Sequence, residues 1–301
     1  MEKRTLGKTN LEISRLGLGL SELGYRLTLA EEAQASQVLN SALDAGINFL
    51  DTSACYNISE ELIGRTVAHR RDEFVLATKC GHVAGGYQGQ DWTAQTITDS
   101  IDRSLKRLKT DRLDLVQLHS CGVSVLEKGE AIEALLAAQK AGKTRFVGYS
   151  GDNEAALWAV NSGLFDTLQT SYNLVEQHAR RELFPAAQAQ NMGIIIKRPI
   201  ANAAWGAESS PSGYADEYFH RAQQMLAAGP IAGAPENRIL LALGFALAHE
   251  AVDTAIVGTH NPRHLAANIA LATSSLPIAA EAVTALYGRF DQIEQNWRQL
   301  T

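Results

Sequence analysis

Four side chains with proton-transfer chemistry stand where successive apolar segments end. Asp51, Lys79 and His119 each end one of these segments, and Tyr56 lies in the loop that follows Asp51. If the segments are neighbouring parallel strands, their carboxyl ends meet at one edge and the four side chains converge on one pocket. Each residue alone has an ordinary explanation, such as a turn cap, a rim ion pair or a packed ring. Together they predict an acid–base site.

The chemistry of the four groups suggests one role for each. A phenol has an ordinary pKa of about 10 and is a poor proton donor at neutral pH unless its anion is stabilised. The ammonium of Lys79 favours the phenolate, so we expect it to lower the pKa of Tyr56. Asp51 would hold that ammonium charged, and His119 would polarise a substrate carbonyl by hydrogen bonding. Tyr56 is therefore the predicted general acid.

A second constellation at the same strand ends offers a different chemistry. Cys80, His82, His119 and Cys121 carry the thiolate and imidazole ligands that zinc prefers. Their spacing does not match a zinc ribbon, and His119 already has a role in the acid–base site. We therefore predict no metal and expect both cysteines to line the pocket wall as small, soft side chains.

The segments that carry these residues alternate with helical patterns along the chain. Apolar runs typical of parallel strands buried on both faces lie at 15–19, 48–52, 74–79, 113–119, 146–150, 167–171, 193–197 and 254–258. Helical spacing recurs at 60–70, 94–108, 127–141, 153–161, 181–190, 237–249 and 262–272, and a capping box at Thr28 and Glu31 opens a first helix that ends at Gly46, after Ala45. Eight such units predict an α/β fold, a (β/α)8 TIM barrel, with a doubly wound open sheet as the alternative.

Three additions to the plain repeat are also predicted. They are an N-terminal β-hairpin at 5–14, a long loop after strand seven at 200–235 and an extra C-terminal helix at 277–297. The loop far exceeds the usual connection of about 2 to 6 residues, and it contains a helical pattern at 214–228. We expect it to cover the catalytic face of the barrel. Because no low-complexity linker divides the chain, residues 1–301 are predicted to form a single domain.

The bulk composition excludes several partner classes. The formal net charge is −6, so the chain lacks the basic surface that nucleic-acid binding requires. No apolar stretch approaches the roughly 18 residues of a membrane span. Three cysteines without a paired framework suit a reducing compartment. We expect a cytoplasmic protein that acts on a small molecule, with no nucleic-acid or membrane partner; the oligomeric state is left open.

Several short motifs resemble the signature of one enzyme family, the aldo-keto reductases. They are DTSACYN at 51–57, SEELIG at 59–64, ATK at 77–79, LDLVQLH at 113–119 and GYS at 148–150. The resemblance implies that Asp51, Tyr56, Lys79 and His119 form the catalytic tetrad of an NAD(P)H-dependent oxidoreductase that reduces an aldehyde or ketone to the alcohol. An NAD-dependent sugar or alcohol dehydrogenase of the same family, and a cofactor-binding regulatory subunit with little turnover, are the alternatives.

The cofactor contacts follow from the same resemblance, because the chain has no Gly-x-Gly-x-x-Gly fingerprint. Family members lay an extended nicotinamide cofactor across the carboxyl end of the barrel. The start of the last barrel helix also offers free backbone N–H groups to a phosphate. The residues implied in cofactor binding are Gly19, Leu20, Ser21 and Asp51 near the nicotinamide, Ser150 and Gln169 at its carboxamide, and Lys197, Arg198, Gly258, Thr259, His264 and Asn268 elsewhere.

Three departures from the family pattern bear on the cofactor. Gly151-Asp152 stands where many members have a second carboxamide ligand, and Asn153 is a candidate substitute. Lys197 stands where many members stack an aromatic ring on the nicotinamide. Gly258 and His264 replace basic residues that hold the extra phosphate of NADP. Because Arg263 and Arg198 remain to take that role, the chain is expected to favour NADP(H) over NAD(H).

Aromatic side chains in the predicted loops point to the substrate. Tyr25 and Trp92, together with Tyr56 and His119, are the expected substrate contacts, and Tyr87 and Trp205 lie in similar loops. A ring of this kind favours an apolar or ring-containing carbonyl. The alternative is that some of these rings only pack the loops against the barrel.

Overall fold

The computed structural model describes residues 1–294 and 297–300. Its strands are β1 (Lys3–Thr5), β2 (Glu12–Ser14), β3 (Leu16–Gly19), β4 (Phe49–Asp51), β5 (Val75–Cys80), β6 (Leu113–His119), β7 (Thr144–Ser150), β8 (Thr167–Ser171), β9 (Gly193–Lys197) and β10 (Thr254–Gly258). Strands β3 to β10 run parallel in chain order and close into a barrel, with β10 beside β3. The predicted (β/α)8 barrel is confirmed, and the open-sheet alternative is wrong.

The N-terminal hairpin closes the amino end of this barrel. Strands β1 and β2 pair antiparallel, with Lys3 opposite Ser14. Leu6, Leu11 and Ile13 of the hairpin pack among the barrel's interior side chains, which include Phe49, Val75, Leu115, Ile195 and Ile256. The turn fits closely, because a Cβ on Gly7 would lie 2.2 Å from the backbone nitrogen of Gly193. The other end of the barrel is left for the site.

The helices surround the barrel as the alternating pattern predicts. They are α1 (Ser21–Arg26), α2 (Glu32–Asp44), α3 (Ser59–Thr66), α4 (Ala94–Leu108), α5 (Val123–Lys128), α6 (Glu130–Lys140), α7 (Asn153–Asn161), α8 (Leu183–Ala189), α9 (Asp216–Ala227), α10 (Arg238–Ala248), α11 (Pro262–Ser274) and α12 (Ala280–Ile293). The single helix predicted at 127–141 is wrong: Gly129 adopts φ of +79°, a left-handed conformation that ends α5 before α6 begins. The short helix α1 was not predicted.

The two predicted additions at the carboxyl side of the chain are present. Helix α9 lies within the long segment after β9, and α12 follows α11. The helix predicted at 277–297 is shorter than expected, and its positions 295 and 296 lie outside the described residues. Residues 297–300 return to the barrel, where the backbone carbonyl of Leu300 accepts a hydrogen bond from Arg198 at 2.8 Å. Within the described part of the chain, no helix is long and apolar enough to span a membrane.

Candidate active site

A buried ion pair lies at the carboxyl end of two adjacent barrel strands. Lys79 Nζ lies 2.6 Å from Asp51 Oδ2 and donates to the carbonyl of Thr52 at 2.8 Å. Both charged side chains are at most 2% exposed. The second carboxylate oxygen accepts a hydrogen bond from Gln169 Nε2 at 2.8 Å, and Ser150 Oγ donates to Gln169 Oε1 at 2.8 Å. The strand ends of β4, β5, β7 and β8 are thus joined in one polar network.

Tyr56 stands over this ion pair, in the loop between β4 and α3. Lys79 Nζ lies 5.1 Å from the centroid of its ring. Burial, followed by the negative charge of Asp51, raises the pKa of the Tyr56 hydroxyl well above its ordinary value. The expected lowering by Lys79 is therefore wrong for the free protein, since the ammonium is neutralised by Asp51 and faces the ring. The phenol is held protonated.

His119 completes the set from the end of β6. Its ring lies 5.7 Å from that of Tyr56, centroid to centroid, at an interplanar angle of 81°. Burial, followed by repulsion from Lys79, keeps the pKa of His119 well below its ordinary value, so the ring is neutral at neutral pH. Nδ1 lies 3.2 Å from Ser53 Oγ and 3.4 Å from Cys55 Sγ. When Ser53 donates to Nδ1, the imidazole proton is on Nε2.

Two of the predicted substrate contacts flank these rings. Tyr25, which is 60% exposed, lies 6.0 Å from Tyr56 between ring centroids and donates its hydroxyl to the Cys55 carbonyl at 2.9 Å. Trp92 lies 4.7 Å from His82, whose ring in turn lies 5.4 Å from that of His119. Sequence reasoning missed His82 as a wall of this pocket, although its position three residues after Lys79 was a usable signal.

The other two aromatic rings pack elsewhere. The Tyr87 hydroxyl donates to Asp99 at 2.7 Å, and Arg103 stacks on its ring at 4.3 Å. Trp205 is 6% exposed and belongs to the hydrophobic core. For Tyr87 and Trp205, the alternative that some rings only pack the loops against the barrel is therefore the better description.

An open strip of backbone borders the ion pair on the side of β3 and β10. Gly19 pairs with Asp51 on one side and with Gly258 on the other. A Cβ on Gly258 would lie 3.3 Å from the Gly19 carbonyl, so side chains here would fill the strip. Both backbone groups of Leu20 are hydrogen-bonded: its N–H donates to the backbone carbonyl of Asp51 and its carbonyl accepts from Ser59 Oγ, both at 2.9 Å. Ser21 begins α1 beside the strip.

The predicted phosphate contacts gather at the start of α11. Asn261 caps the helix by accepting the N–H of Arg263 at 2.9 Å, and its own N–H donates to Thr259 Oγ1 at 3.0 Å. A cleft of about 460 Å³ beside the cap is lined by Arg263 together with residues of α2. Arg263 and His264 are exposed, and Asn268 lies one turn further along. These residues form a second polar region beyond the glycine strip.

A comparison with known protein families identifies the family to which this barrel and its site belong. The model of the Aldo/keto reductase family matches residues 15–286. The chain belongs to the aldo/keto reductase family. Members of this family are oxidoreductases that use nicotinamide cofactors. The matched residues include every barrel strand and the four side chains around the buried ion pair.

Individual relatives agree with this assignment. L-galactose dehydrogenase of Arabidopsis thaliana is 28% identical over 285 residues, which cover 91% of this chain and 88% of the relative. D-threo-aldose 1-dehydrogenase of a Pseudomonas species is 31% identical over 230 residues, covering 67% and 70% of the two chains. The holo structure of an aldo-keto reductase from Bacillus halodurans has a TM-score of 0.81 at 26% identity, covering 96% of each chain.

Two of the departures from the aldo-keto reductase pattern contact one another. Lys197 Nζ lies 2.7 Å from Asp152 Oδ2, and the Asp152 side chain is fully buried. Asn153, the candidate substitute ligand, instead donates to the carbonyl of Gln299 at 3.0 Å. Arg198 stacks on the ring of Tyr214 at 4.9 Å from its centroid. Because Arg198 contacts Tyr214 and the carbonyl of Leu300, it does not lie at the start of α11, where it was expected to hold the extra phosphate of NADP.

The cysteines of the rival zinc reading do not line the pocket. Cys80 and Cys121 are 3% and 2% exposed and pack in the core between barrel and helices, because position 80 points outward when Lys79 points inward. The imidazoles of His82 and His119 face the pocket instead. Among residues 1–294 and 297–300, no three His, Cys, Asp or Glu side chains are arranged to hold a metal ion.

Proposed function

We propose that this chain interconverts a carbonyl compound and its alcohol by hydride transfer, with Tyr56 as the general acid in the reductive direction. The observation that carries the proposal is the grouping of Tyr56 and His119 around the buried Asp51–Lys79 pair, with ring centroids 5.7 Å apart. A carbonyl oxygen placed between the two rings would meet a hydroxyl donor on one side and an imidazole N–H on the other.

The protonation states of the two donors suit the reductive step. The high pKa of Tyr56 keeps its hydroxyl proton in place until negative charge develops on the substrate oxygen. Neutral His119, with Ser53 at Nδ1, directs its Nε2–H at the same oxygen. As the proton leaves Tyr56, the ammonium of Lys79 stabilises the phenolate that forms. Asp51 keeps that ammonium charged and fixed throughout.

The residues around the ion pair fit a nicotinamide cofactor. Gly19 and Gly258 place no side chain beside Asp51, which suits the close approach of a flat ring, and Ser150 and Gln169 supply the hydroxyl and amide that a carboxamide requires. When bound, the cofactor supplies or accepts the hydride. We propose NADP(H) as the preferred form, because Arg263 stands exposed at the start of α11 near a helix N-terminus that favours phosphate.

The names of the relatives favour a second candidate, in which the chain oxidises a sugar; for this direction we propose NAD⁺ as the acceptor. Two relatives are named as a galactose and an aldose dehydrogenase. The same four side chains serve this direction when Tyr56 accepts the proton of the alcohol instead of donating one. The first candidate reduces a carbonyl compound with NADPH, whereas the second oxidises a sugar with NAD⁺.

The experiment is cofactor turnover by the purified protein and two tyrosine variants. Aromatic aldehydes, ketones and sugars are assayed with NADPH and NADH, and alcohols and sugars with NADP⁺ and NAD⁺. We expect Tyr56→Phe to retain cofactor binding and lose most turnover, whereas Tyr87→Phe, a loop tyrosine bonded to Asp99, keeps it. Turnover in Tyr56→Phe equal to wild type would refute the assignment. Faster turnover with NAD⁺ and a sugar would select the second candidate.

A further inference from the structure

We propose that the Asp152–Lys197 ion pair sets the preference of the site between the oxidised and reduced forms of the nicotinamide cofactor, and that Gln299 holds the carboxylate of the pair in place. This inference rests on the proposed function, because it requires the cofactor to bind at the barrel mouth. It concerns equilibrium binding of two redox forms, and no step of the reaction is altered by it.

The position of Lys197 places its charge at the barrel mouth. Ile195 belongs to the barrel's interior cluster, so the side chain two residues later on β9 also points inward. His119 and Ser150 end β6 and β7, and Gln169 lies two residues before the end of β8 in the same closed barrel. The Lys197 side chain keeps 15% of its surface exposed, whereas Asp152 behind it has none. The lysine side chain therefore lies nearer the pocket than the carboxylate, which is fully buried behind it.

The carboxylate is fixed by four contacts. Asp152 Oδ1 accepts hydrogen bonds from Thr170 Oγ1 at 2.8 Å, the backbone N–H of Ser171 at 2.8 Å and Gln299 Nε2 at 2.9 Å. Its other oxygen lies 2.7 Å from Lys197 Nζ. Because Oδ1 accepts three hydrogen bonds, the carboxylate is held in one orientation, and its other oxygen contacts the ammonium as an ion pair. Gln299 contributes to this from the far end of the chain.

The charge of Lys197 acts on other charged groups at the barrel mouth. Burial is the main cause of the lowered pKa of His119, and repulsion from Lys197 adds to it. Burial likewise lowers the pKa of Lys197, and repulsion from Lys79 adds to that shift. A nicotinamide ring that delivers hydride must lie within about 3.5 Å of a carbonyl carbon held by Tyr56 and His119. The ring is therefore also within reach of this charge.

The two redox forms of the cofactor respond differently to that charge. The oxidised nicotinamide ring carries one positive charge and the reduced ring carries none. An ammonium at the mouth disfavours the oxidised form, and the recessed Asp152 offsets part of that effect. Removing either partner should therefore shift the balance, and in opposite directions.

The test measures the dissociation constants of both redox forms without catalysis. NADPH and NADH are titrated by fluorescence, and NADP⁺ and NAD⁺ by displacement of the reduced form. The quantity compared is the ratio of the oxidised to the reduced dissociation constant. We expect Lys197→Met to lower this ratio by about tenfold and Asp152→Asn to raise it by about as much, the size expected for a unit charge roughly 10 Å away at an effective dielectric near 20.

Three further variants make the result decisive. Lys140→Met removes the same charge from the exposed face of α6 and should leave the ratio unchanged. Lys197→Arg keeps the charge and should keep the ratio of dissociation constants. If Asp152→Asn does not fold, the comparison of Lys197→Arg with Lys197→Met still tests whether the charge sets this ratio. Gln299→Ala keeps both charges and should shift the ratio by less than Lys197→Met does.

The failure of this inference is separable from failure of the proposed function. Ratios within twofold of wild type in both Lys197→Met and Asp152→Asn, or shifts in the same direction, would overturn the inference while cofactor binding stood. Absence of binding by any nicotinamide form in the wild-type protein would instead overturn the proposed function.

Discussion

Replacing Lys79 by Met should destabilise the protein more than any exchange of a surface lysine. The substitution preserves side-chain volume but removes the ammonium from a pair whose members are at most 2% exposed. Asp51 would then keep Gln169 as a side-chain donor and lose the ammonium that lies 2.6 Å from its Oδ2. Leaving one charge of a buried pair without its partner costs about 3–5 kcal/mol. The carbonyl of Thr52 also loses its donor, which adds about 1 kcal/mol.

The assay is equilibrium unfolding in urea, followed by circular dichroism, for four proteins besides wild type. We expect Lys79→Met to lose about 4–6 kcal/mol of unfolding free energy, a large part of the 5–15 kcal/mol typical of a domain. The double variant with Asp51→Asn should lose less than Lys79→Met alone, because no lone charge remains in the core. Asp51→Asn alone separates the effect of the carboxylate.

The control is Lys143→Met, which breaks an ion pair with Asp102 whose side chains are 32% and 50% exposed. A pair this exposed contributes less than about 1 kcal/mol. If Lys79→Met loses no more than this control, the buried pair does not depend on charge compensation. The explanation of the Tyr56 pKa would then also fail, because it requires the ammonium of Lys79 to be neutralised by Asp51.

Three further predictions follow from other parts of the structure. The low pKa of His119 and the high pKa of Tyr56 predict that kcat/KM for carbonyl reduction stays flat from about pH 6.5 to about pH 9, and a decline centred near pH 7 would contradict this. Burial raises the pKa of Asp253 to about 6, so the free energy of unfolding falls as pH rises from about 4 to 6. In urea unfolding, Asp253→Asn should therefore gain about 1–3 kcal/mol at pH 8 and nothing at pH 4. Gly81→Ala should strain the backbone, whose φ is +119° here, and displace Trp92, whose ring would lie 1.9 Å from the new Cβ; we expect KM to rise while circular dichroism stays unchanged. An unaltered KM would show that the ring does not border the substrate.

The barrel could be predicted from the sequence because its signals are local and repeated. Each strand is a short apolar run buried on both faces, and each lies between helical patterns. Residues that follow those runs must meet at the carboxyl edge, so Asp51, Lys79 and His119 were brought together by topology alone. The boundary errors have local causes too: the break at Gly129 depends on a left-handed conformation, which a glycine permits but does not require.

The electrostatics of the site could not be predicted in the same way. Residue types indicate that Lys79 stabilises a phenolate, but its effect on the free phenol depends on where its charge is neutralised. The structure places Asp51 2.6 Å from the ammonium, so burial decides the pKa of Tyr56. Similarly, the pocket wall at His82 depends on a loop conformation that brings Trp92 against it, and no periodic pattern encodes that contact.

The two unusual positions at 152 and 197 are best understood as a single change. A buried carboxylate at 152 without a cation would be strongly unfavourable, and a lysine at the inward end of β9 without a counter-charge would repel Lys79 and any oxidised nicotinamide. Placed 2.7 Å apart they stabilise one another, so either substitution alone is disfavoured and the pair is tolerated. Taken one at a time, they count as two departures from the pattern that the family resemblance implies. Read as one ion pair, they replace an uncharged surface at the barrel mouth by an oriented pair of charges, which is why we expect their effect on the cofactor and not on the fold.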